Sequence, residues 1–243
     1  MQIKSFLILS LILFTTKCDD ESSLIALLKK FLQNYVDNDV IIKFIEFLRA
    51  KESHNFPDHL AQNKQAFKNH LSAIKGYKGF IEDQGNYRDM AYGIKTLNEN
   101  GCGLIATYNV IFALTNNWNI DFPSIIAHFE KDGILLKGVF GTSIKAIGDY
   151  FKQNGYKVMS STKKAEYDNI GNQMSAMILM IFNNIDDITD AMHFISITKS
   201  NGKYYVHNNG NRSWSVAYNS ITDVLARINS GKAKDVMLLG ISK

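Results

Sequence analysis

Cysteine is nearly absent from this chain of 243 residues, which has only Cys18 and Cys102. Two thiols allow one bridge at most, and if the first residues are removed Cys102 has no partner for an internal disulfide. Concentrated charge is missing too. The 27 basic and 23 acidic residues leave a formal net charge of +4 that never gathers into a run. Nothing tracks a phosphate backbone, so nucleic acid is not an expected partner. The one basic-aromatic stretch, Lys75-Gly76-Tyr77-Lys78-Gly79-Phe80, has ordinary turn composition and is assigned no function. No Gly-x-Gly-x-x-Gly occurs, and Ser230-Gly231-Lys232 lacks the upstream glycine of a phosphate loop, which argues against nucleotide cofactors. The six histidines have no metal-ligand spacing, and His54 and His59 flank Pro57, which removes a shared helical face. We therefore expect neither cofactor nor metal. The apolar run of residues 6–14 is too short to span a bilayer.

What is present is enough to build a core: 46% hydrophobic residues, with 12% aromatics. Residues 1–19 combine Lys4 with the apolar run, the pattern of a signal peptide or of a membrane or lipid anchor. Cys18 stands as in a bacterial lipoprotein precursor, although Thr16 and Lys17 occupy positions where such processing prefers small uncharged residues. The expected location is secreted or associated with the cell envelope, and the N-terminus is the expected route to any membrane. Residues 20–90 read as a helical N-terminal region. Apolar residues recur at threes and fours over 21–49, with a break near Asp37-Asn38-Asp39, and more weakly over 60–74. Residues 76–100 read as loop.

Residues 91–243 form the expected functional domain. Residues 103–114 are apolar on nearly every face, the mark of a buried helix, and a second helix over 143–154 stops at Gly155. Strands are predicted at 156–159, 176–182, 192–198, 204–207 and 236–241. Helices first and strands later describe an α+β domain with its helices segregated from an antiparallel sheet.

Cys102 sits between Gly101 and Gly103 where the buried helix begins. Unpaired N–H groups and the positive end of the helix dipole favour its anion there, so the thiol is expected to be acidified toward a nucleophile. The flanking glycines would let a substrate backbone approach. A thiolate nucleophile needs a base, and the base needs a third group to hold its ring. Asn201-Gly202 is a strong two-residue hairpin signal. Counting back from it pairs Ser200 with Lys203, Ile197 with Val206, Ile195 with Asn208 and His193 with Gly210. His193 then shares a face with Ile195, Ile197, Val206 and Asn208, while Phe194, His207 and Asn209 face the other way. Asn208 is the diagonal neighbour of His193, and its amide is expected to accept the ring N–H. A bulge would select Asn209 instead. His54, His59, His70, His128 and His207 read as surface or packing residues. Asp186, Asp187 and Asp190 read as a solvated loop.

Asn100-Gly101-Cys102-Gly103-Leu104-Ile105-Ala106-Thr107-Tyr108-Asn109, then Gly141-Thr142-Ser143 with the helix and strand that follow, then His193-Phe194-Ile195 and the run ending at Asn208, resemble the papain-like cysteine peptidases. Within that clan the chain is most similar to the C39-type peptidases that cut leader peptides. The resemblance runs from about Tyr92 to the end. It implies a papain-like fold, a peptide or protein substrate, thiolate attack on an acyl carbon, an acyl-enzyme, and release by water. It also implies a catalytic set of Cys102, His193 and Asn208. The family's oxyanion-hole Gln falls six residues before the nucleophile, where this chain has Thr96. Asn98 or Asn100 is the replacement the loop offers, and Asn98 is our choice, joined by the N–H of Cys102. The competing readings are a transglutaminase-like acyltransferase, a peptidoglycan amidase, and an inactive domain that binds peptide in the cleft.

Overall fold

The computed structural model describes residues 37–52, 56–183, 192–209 and 215–243. The expected signal or anchor segment, Cys18, the helical pattern before Asp37, His54, the aspartates Asp186, Asp187 and Asp190, and Gly210 lie outside the described residues.

Helix α1 (Asn38–Lys51) starts where the sequence pattern breaks. Asp37 is its N-cap, and its carboxylate accepts the N–H of Asp39 at 2.9 Å. α1 buries Ile41, Ile42, Ile45 and Leu48, and Arg49 reaches Asp132 at 2.9 Å from two of its nitrogens and Asp149 at 3.3 Å. Helix α2 (Leu60–Gly76) adds Ala66, Phe67 and Ile74 to the same apolar cluster. A loop, a two-residue hairpin of β1 (Ala91–Tyr92) and β2 (Lys95–Thr96), and the single turn α3 (Leu97–Asn100) lead into α4 (Cys102–Thr115). Thr96 and Glu99 form a capping box that starts α3. The chain continues through α5 (Phe122–Lys131), α6 (Ile144–Gln153), β3 (Lys157–Ser161), α7 (Tyr167–Gln173), β4 (Ala176–Phe182), β5 (Met192–Ser200), β6 (Lys203–His207), α8 (Ile221–Arg227) and β7 (Lys234–Ser242).

The main sheet has the order β3-β7-β4-β5-β6, and every neighbouring pair is antiparallel. Its central strand β4 is buried at all seven residues. A strand apolar at successive positions has both faces covered. One face carries Ile178, Met180, Phe182, Phe194 and Leu239 against α1, α2, α4, α5 and α6. The other carries Met177, Leu179, Ile181, Ile195, Ile197, Val206 and Leu238 against α7 and α8. The expected segregation of helices from the sheet is therefore corrected, because helices lie on both faces. α7 and α8 span seven residues each, too few for a 3.6-residue period to stand out. α5 was legible in principle: Asp121 caps it by accepting the N–H of Ser124, and Pro123 sits in its first turn.

The β5–β6 hairpin turns at Asn201 and Gly202, both at positive φ (51° and 73°), as a tight primed turn requires. Its register pairs Ser200 with Lys203 and Ile197 with Val206, as counted from the sequence, and Ser196 with His207. The ladder then ends. Asn208, expected opposite Ile195, takes a left-handed conformation with φ at 57° and leaves the strand direction.

Candidate functional site

Cys102 is the first residue of α4, so its N–H has no acceptor within the helix. The helix is buried on nearly every side, from Leu104, Ile105 and Ala106 to Val110, and packs on β4 and β5. Its N-terminus thereby lies against β5. The sulfur meets that strand at the N–H of Phe194, the peptide that joins Phe194 to His193. By alternation Phe194 projects toward α4, and His193 leaves on the side of Ile195 and Ile197.

The thiol is only 6% exposed. Burial pushes its pKa up from 9.0 to about 11, and the N–H groups of Phe194, Gly103 and Cys102 itself offset part of that rise. The expected acidification is therefore corrected. Desolvation penalises the anion more than these three backbone donors favour it. The role expected of the two glycines changes too. A Cβ on Gly101 would stand 2.6 Å from the carbonyl oxygen of Leu97, and one on Gly103 would stand 3.2 Å from Cβ of Thr142. These residues lack side chains because α3 and the Thr142 segment pack against them.

His193 is half-buried, and its Nε2 lies 2.8 Å from the backbone carbonyl of Asn208. A carbonyl only accepts, so Nε2 carries the proton and the neutral ring has its lone pair at Nδ1. Burial lowers the pKa of His193, and the Asn208 carbonyl, which favours the charged ring, offsets part of the drop. Thiol and imidazole are thus both held toward their neutral forms.

The pairing of His193 with Asn208 counted from the sequence is present, but through a different atom. The expected contact was the carboxamide, whereas the contact observed is the main-chain carbonyl. The carboxamide turns to Gln84: its Oδ1 accepts the Gln84 N–H at 3.2 Å, and its Nδ2 donates to Gln84 Oε1 at 3.3 Å. The left-handed backbone of Asn208 accounts for this exchange, since it swings the peptide rather than the side chain toward the ring.

Asn98 lies half-buried on α3, with its N–H bonded to the carbonyl of Tyr87 at 3.2 Å. Its carbonyl accepts from Gln84 Nε2 at 3.0 Å, and its Oδ1 faces Gly85. Gln84 therefore ties the α3 residue to Asn208. Thr96, at the family's Gln position, donates its hydroxyl to Glu99 at 2.9 Å.

Sequence reasoning missed a buried polar group behind this site. Nδ1 of His207 pairs with Oε1 of Glu82, and Oε2 of the same carboxylate accepts the N–H of Asn208 at 3.0 Å. Nε2 of His207 lies 2.8 Å from Thr198 Oγ1, and its ring stacks on Phe80 with centroids 4.0 Å apart. Asn109 of α4 holds the same segment: its Oδ1 accepts the N–H of Ile81 at 2.8 Å, and its Nδ2 donates to the carbonyl of Ile81 at 2.9 Å and to Ser196 Oγ at 3.2 Å. Phe80, read as part of a loop without function, is a wall of this group. His207, read as a surface or packing residue, is at its centre. The available signal was a charged residue, Glu82, directly after the apolar pair Phe80-Ile81 and ahead of α4.

No metal cluster of three or more His, Cys, Asp or Glu side chains occurs among the described residues. No described helix is long and apolar enough to cross a membrane. No protein-family model matches the chain, and no curated protein matches it. Among solved structures, the peptidase domain of Streptococcus ComA, a bi-functional ABC transporter involved in a quorum-sensing pathway, is similar at a TM-score of 0.39 and 12% identity, over 58% of this chain and 90% of that one. This is a distant, fold-level likeness between α+β chains.

Proposed function

We propose that the chain is a papain-like cysteine hydrolase, similar in type to the C39 peptidases, that cleaves a peptide or amide bond. The observation that carries this reading is the bond from His193 Nε2 to the Asn208 carbonyl, which leaves Nδ1 as the acceptor a thiol proton needs. Support also comes from the sulfur, which lies against the peptide that follows His193 at the head of a buried helix.

In this reading Nδ1 of His193 takes the proton of Cys102, and the sulfur attacks the acyl carbon. The oxyanion receives the N–H of Cys102 and the carboxamide of Asn98, the side chain we assign to that role. The imidazolium returns its proton to the leaving amine, a thioester remains, and water attacks it with His193 again as base. Asn208 orients the ring through its main chain.

One observation favours a second reading. A thiol with its pKa near 11 and little exposure is a poor nucleophile at rest, as in a domain that binds peptide without cutting it. Incubation with a peptide library, reading new N-termini against a Cys102→Ala control, separates the two. Cleavage that disappears in the control supports the hydrolase. Peptide retention without new termini, equal in both proteins, supports the binding domain. New termini that depend on an added amine acceptor would instead support an acyltransferase.

A further inference from the structure

Asn208 has four hydrogen-bonding groups that bear on the site, and three of them are committed to residues 82–84. Its N–H goes to Glu82 Oε2, its Oδ1 to the N–H of Gln84, and its Nδ2 to Gln84 Oε1. The fourth, the carbonyl, meets His193. The β6 ladder ends one residue earlier, so strand pairing does not hold Asn208. Its positive φ is a conformation that non-glycine residues keep only when their surroundings impose it. Those surroundings are fixed in turn. Glu82 is buried, it faces both the Asn208 N–H and His207, and the segment before it is held through Ile81 to Asn109 of the nucleophile helix.

We propose that Glu82 is a positioning residue: by accepting the Asn208 N–H and pairing with His207, it presses the Asn208 carbonyl onto His193 and so sets the orientation and basicity of that ring. The proposal rests on the hydrolase reading above. It goes beyond that reading because it puts control of the base on residues 79–84, a segment outside the Cys, His and Asn set. The polar chain runs from Asn109 through Ile81 and Glu82 to Asn208 and His193, and every step is a named hydrogen bond or one residue of chain. The polar group at His193 itself is the Asn208 carbonyl, and one step behind Asn208 stands the titratable Glu82–His207 pair. Asp83 turns away to cap its own loop through the N–H of Gly85.

The carbonyl favours the protonated ring, so losing its alignment weakens His193 as a base. The experiment is the pH profile of iodoacetamide alkylation in the full-length protein, with the adduct at Cys102 read separately from Cys18 by peptide mass spectrometry. In Glu82→Ala the rate at pH 7 is expected to fall about tenfold, the worth of one well-placed hydrogen bond, and the profile to move to higher pH, toward that of His193→Ala. Glu82→Gln retains an acceptor for the Asn208 N–H and is expected to recover most of the rate. Circular dichroism establishes that each variant is folded. Should Glu82→Ala not fold, Gln84→Ala, on the less buried half of the same clamp, is expected to lose about threefold with the same direction of shift. A folded Glu82→Ala, or in its place Gln84→Ala, with an unmoved profile overturns the proposal while leaving the hydrolase reading intact if His193→Ala is slow. An unmoved profile in His193→Ala overturns both.

Discussion

The hairpin of β5 and β6 carries two histidines in different circumstances, and the contrast separates a ring committed at both nitrogens from one held at a single nitrogen. His207 has both ring nitrogens occupied, by Glu82 and Thr198, and its face covered by Phe80. His193 has one nitrogen on a carbonyl, and among the described residues its Nδ1 has no hydrogen-bond partner. A ring with every lone pair and proton spoken for serves structure. A ring held at one end and open at the other has a nitrogen that can take up a proton, as the proposed hydrolase requires. The same division holds for the carboxamides. Asn109 spends its groups on Ile81 and Ser196 and joins two layers of the fold, whereas Asn208 leaves its carbonyl for His193.

The sharpest way to break this comparison is to remove each ring in turn. His193→Ala is expected to slow alkylation of Cys102 at pH 7 by about a hundredfold, the lower range for a general base. His207→Phe retains a ring against Phe80 and is expected to cost at most about tenfold in rate, with its main effect on thermal stability, because Glu82 is left with one donor fewer. Equal losses of rate in the two variants would erase the distinction. Rate constants from mass spectrometry on folded samples decide it.

The thiol supplies the next effect, on stability. Its pKa is raised from 9.0 to about 11, so above pH 9 the unfolded chain releases a proton that the folded chain keeps. That contribution is fully present below pH 9 and is lost as pH rises toward 11, by about 2–3 kcal/mol for a shift of this size. Buried tyrosines titrate in the same direction, so the measurement is the difference between wild type and Cys102→Ser in denaturant midpoints at pH 8 and pH 11. The variant is expected to show the smaller drop. His193 works on the opposite side: its lowered pKa means that stability is present above 6.5 and declines as acid protonates the unfolded chain first.

The sheet was legible in the sequence because its signals are local. β4 matches an unbroken apolar run at both ends, and Asn201-Gly202 determined the hairpin register by counting. The buried helix was equally plain, since residues 103–114 are apolar on nearly every face. Two kinds of information were not local. The thiol's environment depends on how closely α4 meets β5, which no spacing of apolar residues encodes, so the helix-end argument predicted the opposite sign of the shift. Glu82 and His207 are 125 residues apart, and neither carries a motif. Their meeting follows from the segment of residues 79–84 threading between α4 and β6. The apolar β4, by contrast, already carried the sign that both faces are covered, and the segregated arrangement neglected it.

The smallest effect bears on the atom of Asn208 that matters. If the ring is held by the carboxamide, as the strand register alone implies, Asn208→Gly and Asn208→Ala remove the same group and slow Cys102 alkylation equally. If the ring is held by the carbonyl, the two variants separate. Glycine adopts a φ of 57° without strain and retains the carbonyl, so Asn208→Gly is expected to stay within about threefold of wild type. Alanine retains the carbonyl but resists the left-handed backbone by about 1 kcal/mol, and part of its population relaxes away from the ring, so Asn208→Ala is expected to lose about tenfold. An Ala variant slower than the Gly variant is a backbone effect that no side-chain role produces, and equal rates would return the orienting role to the carboxamide.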